Sequence, residues 1–176
     1  MNLKNKLLSA SLAACMVVPM AMPVCAEGDE KGTTLKYVVN ESYEWSIHTA
    51  IDFGEDQGIN KTDVAGNVTD GSEQKVKVTK NVIEEGQKLH IIAKGSGTDG
   101  KFSVKNGEAG TEVLGYTVQS GTNTVDVNGT VLDVSAGTNE GSADMKFTLS
   151  TTTKAAEVAG TYTGTITYTA SIVPQQ

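Results

Sequence analysis

Thr161-Tyr162-Thr163-Gly164-Thr165-Ile166-Thr167-Tyr168-Thr169-Ala170-Ser171-Ile172 is the stretch that decides the fold. Thr161, Thr163, Thr165, Thr167, Thr169 and Ser171 hold one parity; Tyr162, Gly164, Ile166, Tyr168, Ala170 and Ile172 hold the other. A period of two sends hydroxyls to one face and apolar groups to the opposite face, which is the pattern of a half-buried β-strand. Wound as a helix, the same residues would scatter around the axis. β-branched threonine also loses rotamer freedom in a helix and fits a pleated surface better.

Working back from that stretch, runs of similar character occupy 35–40, 43–47, 74–82, 87–94, 101–105, 112–118, 123–127, 130–134 and 143–150. Turn residues punctuate them at Glu85-Gly86, Asp99-Gly100, Asn106-Gly107, Asn128-Gly129 and Ala136-Gly137. Asn-Gly between alternating residues is a tight-hairpin signal, because both residues tolerate positive φ. Short strands at this spacing predict an all-β chain folded as an antiparallel β-sandwich, of immunoglobulin-like (Greek-key) or jelly-roll order. Only 152–158, with Lys154-Ala155-Ala156-Glu157, suits a helical turn. The main irregular stretch is 53–73, and a long loop in a small domain is functional or mobile. Gly95-Ser96-Gly97-Thr98-Asp99-Gly100 spells G-x-G-x-x-G, but Lys101-Phe102-Ser103-Val104 continues it as a strand. A phosphate cradle needs a helix there, so this is expected to be a hairpin between two paired strands.

The N-terminus is an address. Lys4 and Lys6 precede an apolar run from Leu7 to Pro23, then Val24-Cys25-Ala26 and the acidic Glu27-Gly28-Asp29-Glu30. This predicts a secretory signal peptide over 1–26, cleaved after Ala26, and one domain over 27–176. Pro19 and Pro23 interrupt the run, and no later segment is apolar enough to span a membrane, so no transmembrane segment is expected in the mature chain. Leu12-Ala13-Ala14-Cys15 resembles a lipobox, but lipidation at Cys15 would leave 16–26 as a greasy tether where a polar linker normally follows. Cleavage takes both cysteines, and takes Lys4 and Lys6 from the 14 basic residues, none of which is Arg. Twelve Lys then face 21 acidic residues. That balance repels a nucleic-acid backbone. A thiolate nucleophile, a thiolate metal site and an arginine clamp are excluded by composition.

Catalysis has little to work with. His48 and His90 are the two histidines, and no G-x-S-x-G elbow singles out a serine. His90, inside Leu89-His90-Ile91-Ile92, is expected to face outward between core neighbours. No enzyme is expected and no catalytic residue is assigned. Two weaker constellations remain. Asp52, Glu55, Asp56 and Asp63 supply the oxygen ligands a calcium ion wants, although without the D-x-D-x-D-G order. Tyr43 and Trp45 share parity beside this acidic loop, and exposed aromatic faces beside polar groups suit a glycan. The competing reading places Tyr37, Tyr43 and Trp45 in the core and leaves the loop acids solvated.

Ala159-Gly160-Thr161-Tyr162-Thr163-Gly164-Thr165-Ile166-Thr167-Tyr168-Thr169 resembles the closing strand of bacterial secreted β-sandwich proteins, the pilin-like and adhesin-like surface subunits. Glu85-Gly86-Gln87-Lys88-Leu89-His90-Ile91 and Leu114-Gly115-Tyr116-Thr117-Val118 resemble a hairpin and a strand of the same group. The Arg-free, Lys-rich composition points to a Gram-positive source. The resemblance implies a secreted or cell-surface location and a non-catalytic structural or adhesion role. Its partners would be other surface proteins or further copies of the chain, met at exposed strand edges. A domain that completes its neighbour needs a free extended segment, and 27–34 is short, polar and poorly suited to donate. The alternative is a carbohydrate-binding module using Tyr43 and Trp45, with calcium assisting; otherwise no cofactor is expected.

Overall fold

A computed structural model describes residues 34–55, 63–69, 72–107, 110–150 and 156–176. The expected signal peptide, 1–26, lies outside them. The chain divides into two compact units, Met1–Tyr37 and Val38–Gln176. The architecture is that of the second. Its strands are β1 (Ser42–Ser46), β2 (Val64–Gly66), β3 (Lys75–Val82), β4 (Gln87–Gly95), β5 (Ser103–Asn106), β6 (Val113–Ser120), β7 (Asn123–Thr124), β8 (Gly129–Ser135), β9 (Gly141–Leu149), β10 (Tyr162–Thr163) and β11 (Ile166–Pro174). They form an all-β sandwich with every ladder antiparallel.

The large sheet runs β1-β3-β9-β6-β5-β10, and the small one runs β11-β4-β8. β9 is the hub of the large sheet. Its first half pairs with β3 and its second half with β2, while β6 takes the opposite side. Alternation sets the core. Val76 and Val78 of β3, Leu89, Ile91 and Ala93 of β4, and Val118, Val134 and Phe147 are buried. Each of these Val, Leu, Ile and Phe side chains taken from water stabilises the fold by about 1.5–3 kcal/mol. His90 falls between Leu89 and Ile91 and stays half-buried on the outer face of β4, as its neighbours predict.

Four expectations are corrected. The run at 35–40 forms no strand, and Leu35 and Tyr37 are 91% and 90% exposed. The run at 161–172 is two strands: β10 pairs with β5 in the large sheet and β11 with β4 in the small one. The chain crosses between the sheets at Gly164-Thr165. A Cβ on Gly164 would lie 2.4 Å from the Ser103 carbonyl oxygen, so only glycine permits this approach. Gly95–Gly100 is likewise a corner between the sheets, since β4 and β5 do not pair. Asn128 takes the left-handed φ of 58° that its sequence predicts. It makes a turn rather than a hairpin, because β7 pairs with β6 and β8 with β4.

Candidate functional site

The last strand leaves an edge open. β11 pairs with β4 along all nine of its residues without a register shift, from Ile166↔Gly95 to Pro174↔Gln87. Its other edge has no ladder partner among the described residues. At the start of that strand lies a groove of about 1280 Å³. Ile166 and Tyr168 of β11 line it, facing Val104, Leu114, Phe147 and Leu149 of the large sheet. Val104, Leu114, Phe147 and Tyr168 are buried, so the floor is apolar and continuous with the core.

Local sequence builds each wall. On one side, 47–55 lies over β2, tied by the Asp52–Asn67 bridge with N–H···O distances of 2.9 and 2.8 Å. Gly66 makes this possible, since a Cβ there would meet Ile51 Cγ2 at 2.4 Å and Phe53 Cε1 at 2.9 Å. His48 is buried in the same wall. Its ring stands edge-on to Phe147 and Tyr168, with centroids 5.1 and 5.7 Å apart, and its Nε2 lies 3.3 Å from the Tyr168 hydroxyl. On the other side, 156–165 is held by the buried carboxylate of Glu112, which accepts the N–H groups of Glu157 and Val158 at 3.0 and 2.9 Å and the Tyr162 hydroxyl. Desolvation and the adjacent Glu112 charge raise the Tyr162 hydroxyl above its ordinary pKa. Burial pushes the Tyr116 hydroxyl up to about 12. Burial, joined by Tyr116, pushes Tyr168 up further. Both phenols therefore stay neutral across the physiological range, and the floor carries no phenolate charge.

This arrangement suits an extended chain. A strand along β11 would find main-chain donors and acceptors that no described strand takes up, and its side chains beside Ile166 and Tyr168 would enter the groove. The residues singled out from sequence are placed differently. Trp45 stands opposite Val78 and packs on the core, while Tyr43 stands opposite Asn81 and is 37% exposed. Asp52 and Glu55 lie along the groove, with Asp52 Oδ1 accepting the Gly54 N–H at 2.7 Å. Asp63 is exposed on the surface, and Asp56 lies outside the described residues. Among the described residues no three His, Cys, Asp or Glu side chains gather in a way that would hold a metal ion. No helix there is long and apolar enough to cross a membrane. Sequence reasoning missed the groove floor itself. A signal for the open edge was present: 161–173 contains no charged residue.

No family model matches the sequence. No curated protein matches it either. The fold does match solved structures. One, described as the structure of a chaperone–usher pilus that reveals the molecular basis of rod uncoiling, superposes on 88% of this chain and all of its own with a TM-score of 0.50 at 14% identity. At that identity the likeness defines the class of fold, a β-sandwich similar to that of a pilus chain.

Proposed function

We propose that the protein is a non-catalytic structural subunit of an extracellular assembly and that copies join by strand addition, residues 35–40 of one copy lying along β11 of the next. The carrying observation is the nine-residue edge of β11, unpaired among the described residues, whose first residues Ile166 and Tyr168 line a groove with an apolar floor. Long uncharged edges are normally protected in monomeric proteins, because they template pairing with another chain. The donor is read from the same chain. In Leu35-Lys36-Tyr37-Val38-Val39-Asn40, the alternate residues Leu35, Tyr37 and Val39 are apolar, and Val38 and Val39 are 63% and 60% exposed. This segment replaces the polar 27–34 as the donor candidate. The signal-peptide pattern of 1–26 and the pilus fold likeness support a surface location.

The test is the size of the purified protein before and after boiling, by light scattering and denaturing gel. A ladder before boiling that collapses to monomer afterwards is expected, and Leu35→Asn, Tyr37→Asn and Val39→Asn together should abolish it. A wild-type protein that stays monomeric at high concentration overturns strand addition.

A further inference from the structure

The small sheet has a second edge, β8, and it is closed by side chains rather than by a strand. Asn81 of β3 reaches across the sandwich, and the two hydrogens of its Nδ2 are shared among the carbonyls of Val134, Ser135 and Thr138 at 3.2, 3.1 and 3.1 Å. With three acceptors around it, this position must be the amide nitrogen. Asn81 is itself 2% exposed, so these bonds are shielded from water. Further along β8, the register slips between Ile91 and Ile92 and leaves Val131 as an extra residue. The Ser120 hydroxyl of β6 donates to that Val131 carbonyl at 2.6 Å. Two of the β8 carbonyls that an incoming strand would meet, those of Val131 and Ser135, are thus already bonded from the large sheet.

We propose that Asn81 and Ser120 are specificity-determining residues that stitch β8 to the large sheet, so that the small sheet offers an added strand one acceptor edge, β11, and not two. This rests on the strand-addition reading above. An added strand gains most of its affinity from main-chain bonds, and an edge whose carbonyls are already bonded must break those bonds first. A small sheet that accepted strands on both edges would let copies branch there, whereas one accepting edge in that sheet directs addition to β11.

The experiment uses the full-length protein with Leu35, Tyr37 and Val39 changed to Asn, so that it cannot donate. The probe is a labelled synthetic peptide spanning 33–41. This background should bind one peptide per chain, with hydrogen-exchange protection on 166–174. Adding Asn81→Val or Ser120→Ala should create a second site, at least tenfold tighter than any second binding to the background, with new protection on 129–135. Ser120→Ala serves if Asn81→Val fails to fold. One peptide per chain in the folded variants, with 129–135 unchanged, overturns the role of Asn81 and Ser120 and leaves strand addition standing. If the background binds no peptide, strand addition along β11 falls. In that case self-association of the variants through 129–135, read by light scattering and exchange, still supports the seam, and its absence overturns the seam too.

Discussion

β11 and β8 are the two edges of one three-stranded sheet and share β4 as their partner, yet they are finished in opposite ways. β8 has a register slip, carries Asp133, and has carbonyls bonded by Asn81 and Ser120 from the opposite sheet. β11 runs nine residues in perfect register, without a charge, and its far edge meets no strand among the described residues. Slips, charges and covered edges are the means by which β-proteins avoid edge-to-edge pairing. Among the described residues, these devices are gathered on β8 and none of them lies on β11. The same sheet has the means to close an edge and uses them only on β8.

The comparison breaks first at Asn81. Asn81→Asp keeps the shape but aims a carboxylate at three carbonyl oxygens in a buried seam. The expected loss is about 4 kcal/mol, since a buried charge is left without a donor. Urea denaturation measures it, and a loss below about 1 kcal/mol would show that Asn81 does not hold the seam. On the β11 side the matching test is Glu112→Gln, which removes the charge that grips 156–165 while leaving one acceptor oxygen. About 2 kcal/mol of stability should go, and the amides of Glu157 and Val158 should exchange faster, because a charge-assisted bond is roughly twice as strong as a neutral one. Unchanged exchange at those two amides would mean that another contact holds the wall. Ser120→Ala is milder, at about 1 kcal/mol, because a single hydroxyl bond is lost. If the seam is as described, the added exchange is confined to residues near Val131.

Much of this was legible in the sequence because a period of two survives most tertiary contexts. Leu89, Ile91 and Ala93 alternate with Lys88, His90 and Ile92, and the strand follows directly. The break at Gly164-Thr165 was not legible, since alternation continues straight through the corner. Only the approach to the Ser103 carbonyl shows why glycine is there. β2 was hidden for another reason. Three residues, Val64–Gly66, are too few to display a period, and their pairing depends on the distant β9. The run at 35–40 has the composition of a strand but no ladder, because alternation records fitness to pair and not the presence of a partner. The groove floor drew on the same residues that any core would use. Val104, Leu114 and Phe147 line a groove because no described strand covers the space beside the start of β11. Charge alone separates the two edges as sequence, since nothing local to Val134 or Ser135 announces that Asn81 lies across from them.

The smallest expected effect separates a charge on the face of β8 from the seam along its edge. Asp133 stands opposite His90, with Oδ1 2.6 Å from His90 Nδ1 and Oδ2 2.7 Å from Lys88 Nζ. Burial acts to raise its pKa, but the hydrogen bonds from Lys88 and His90 outweigh it and hold the carboxyl below its ordinary value. A depressed folded-state pKa stabilises the fold above the unfolded-state value, near 3.9, and that stability is lost as pH falls through the folded-state value. Asp133→Asn should therefore cost about 0.5 kcal/mol at pH 5 to 7, since the pair is partly exposed and screened. The difference from wild type should shrink below about pH 4 and in 1 M salt. Denaturation curves at pH 7, 4 and 2 measure it. Because this charge lies on the outer face and not along the strand edge, peptide binding should stay at one per chain in Asp133→Asn. A second site on 129–135 in that variant would mean that face charge, rather than the buried bonds of Asn81 and Ser120, keeps β8 closed.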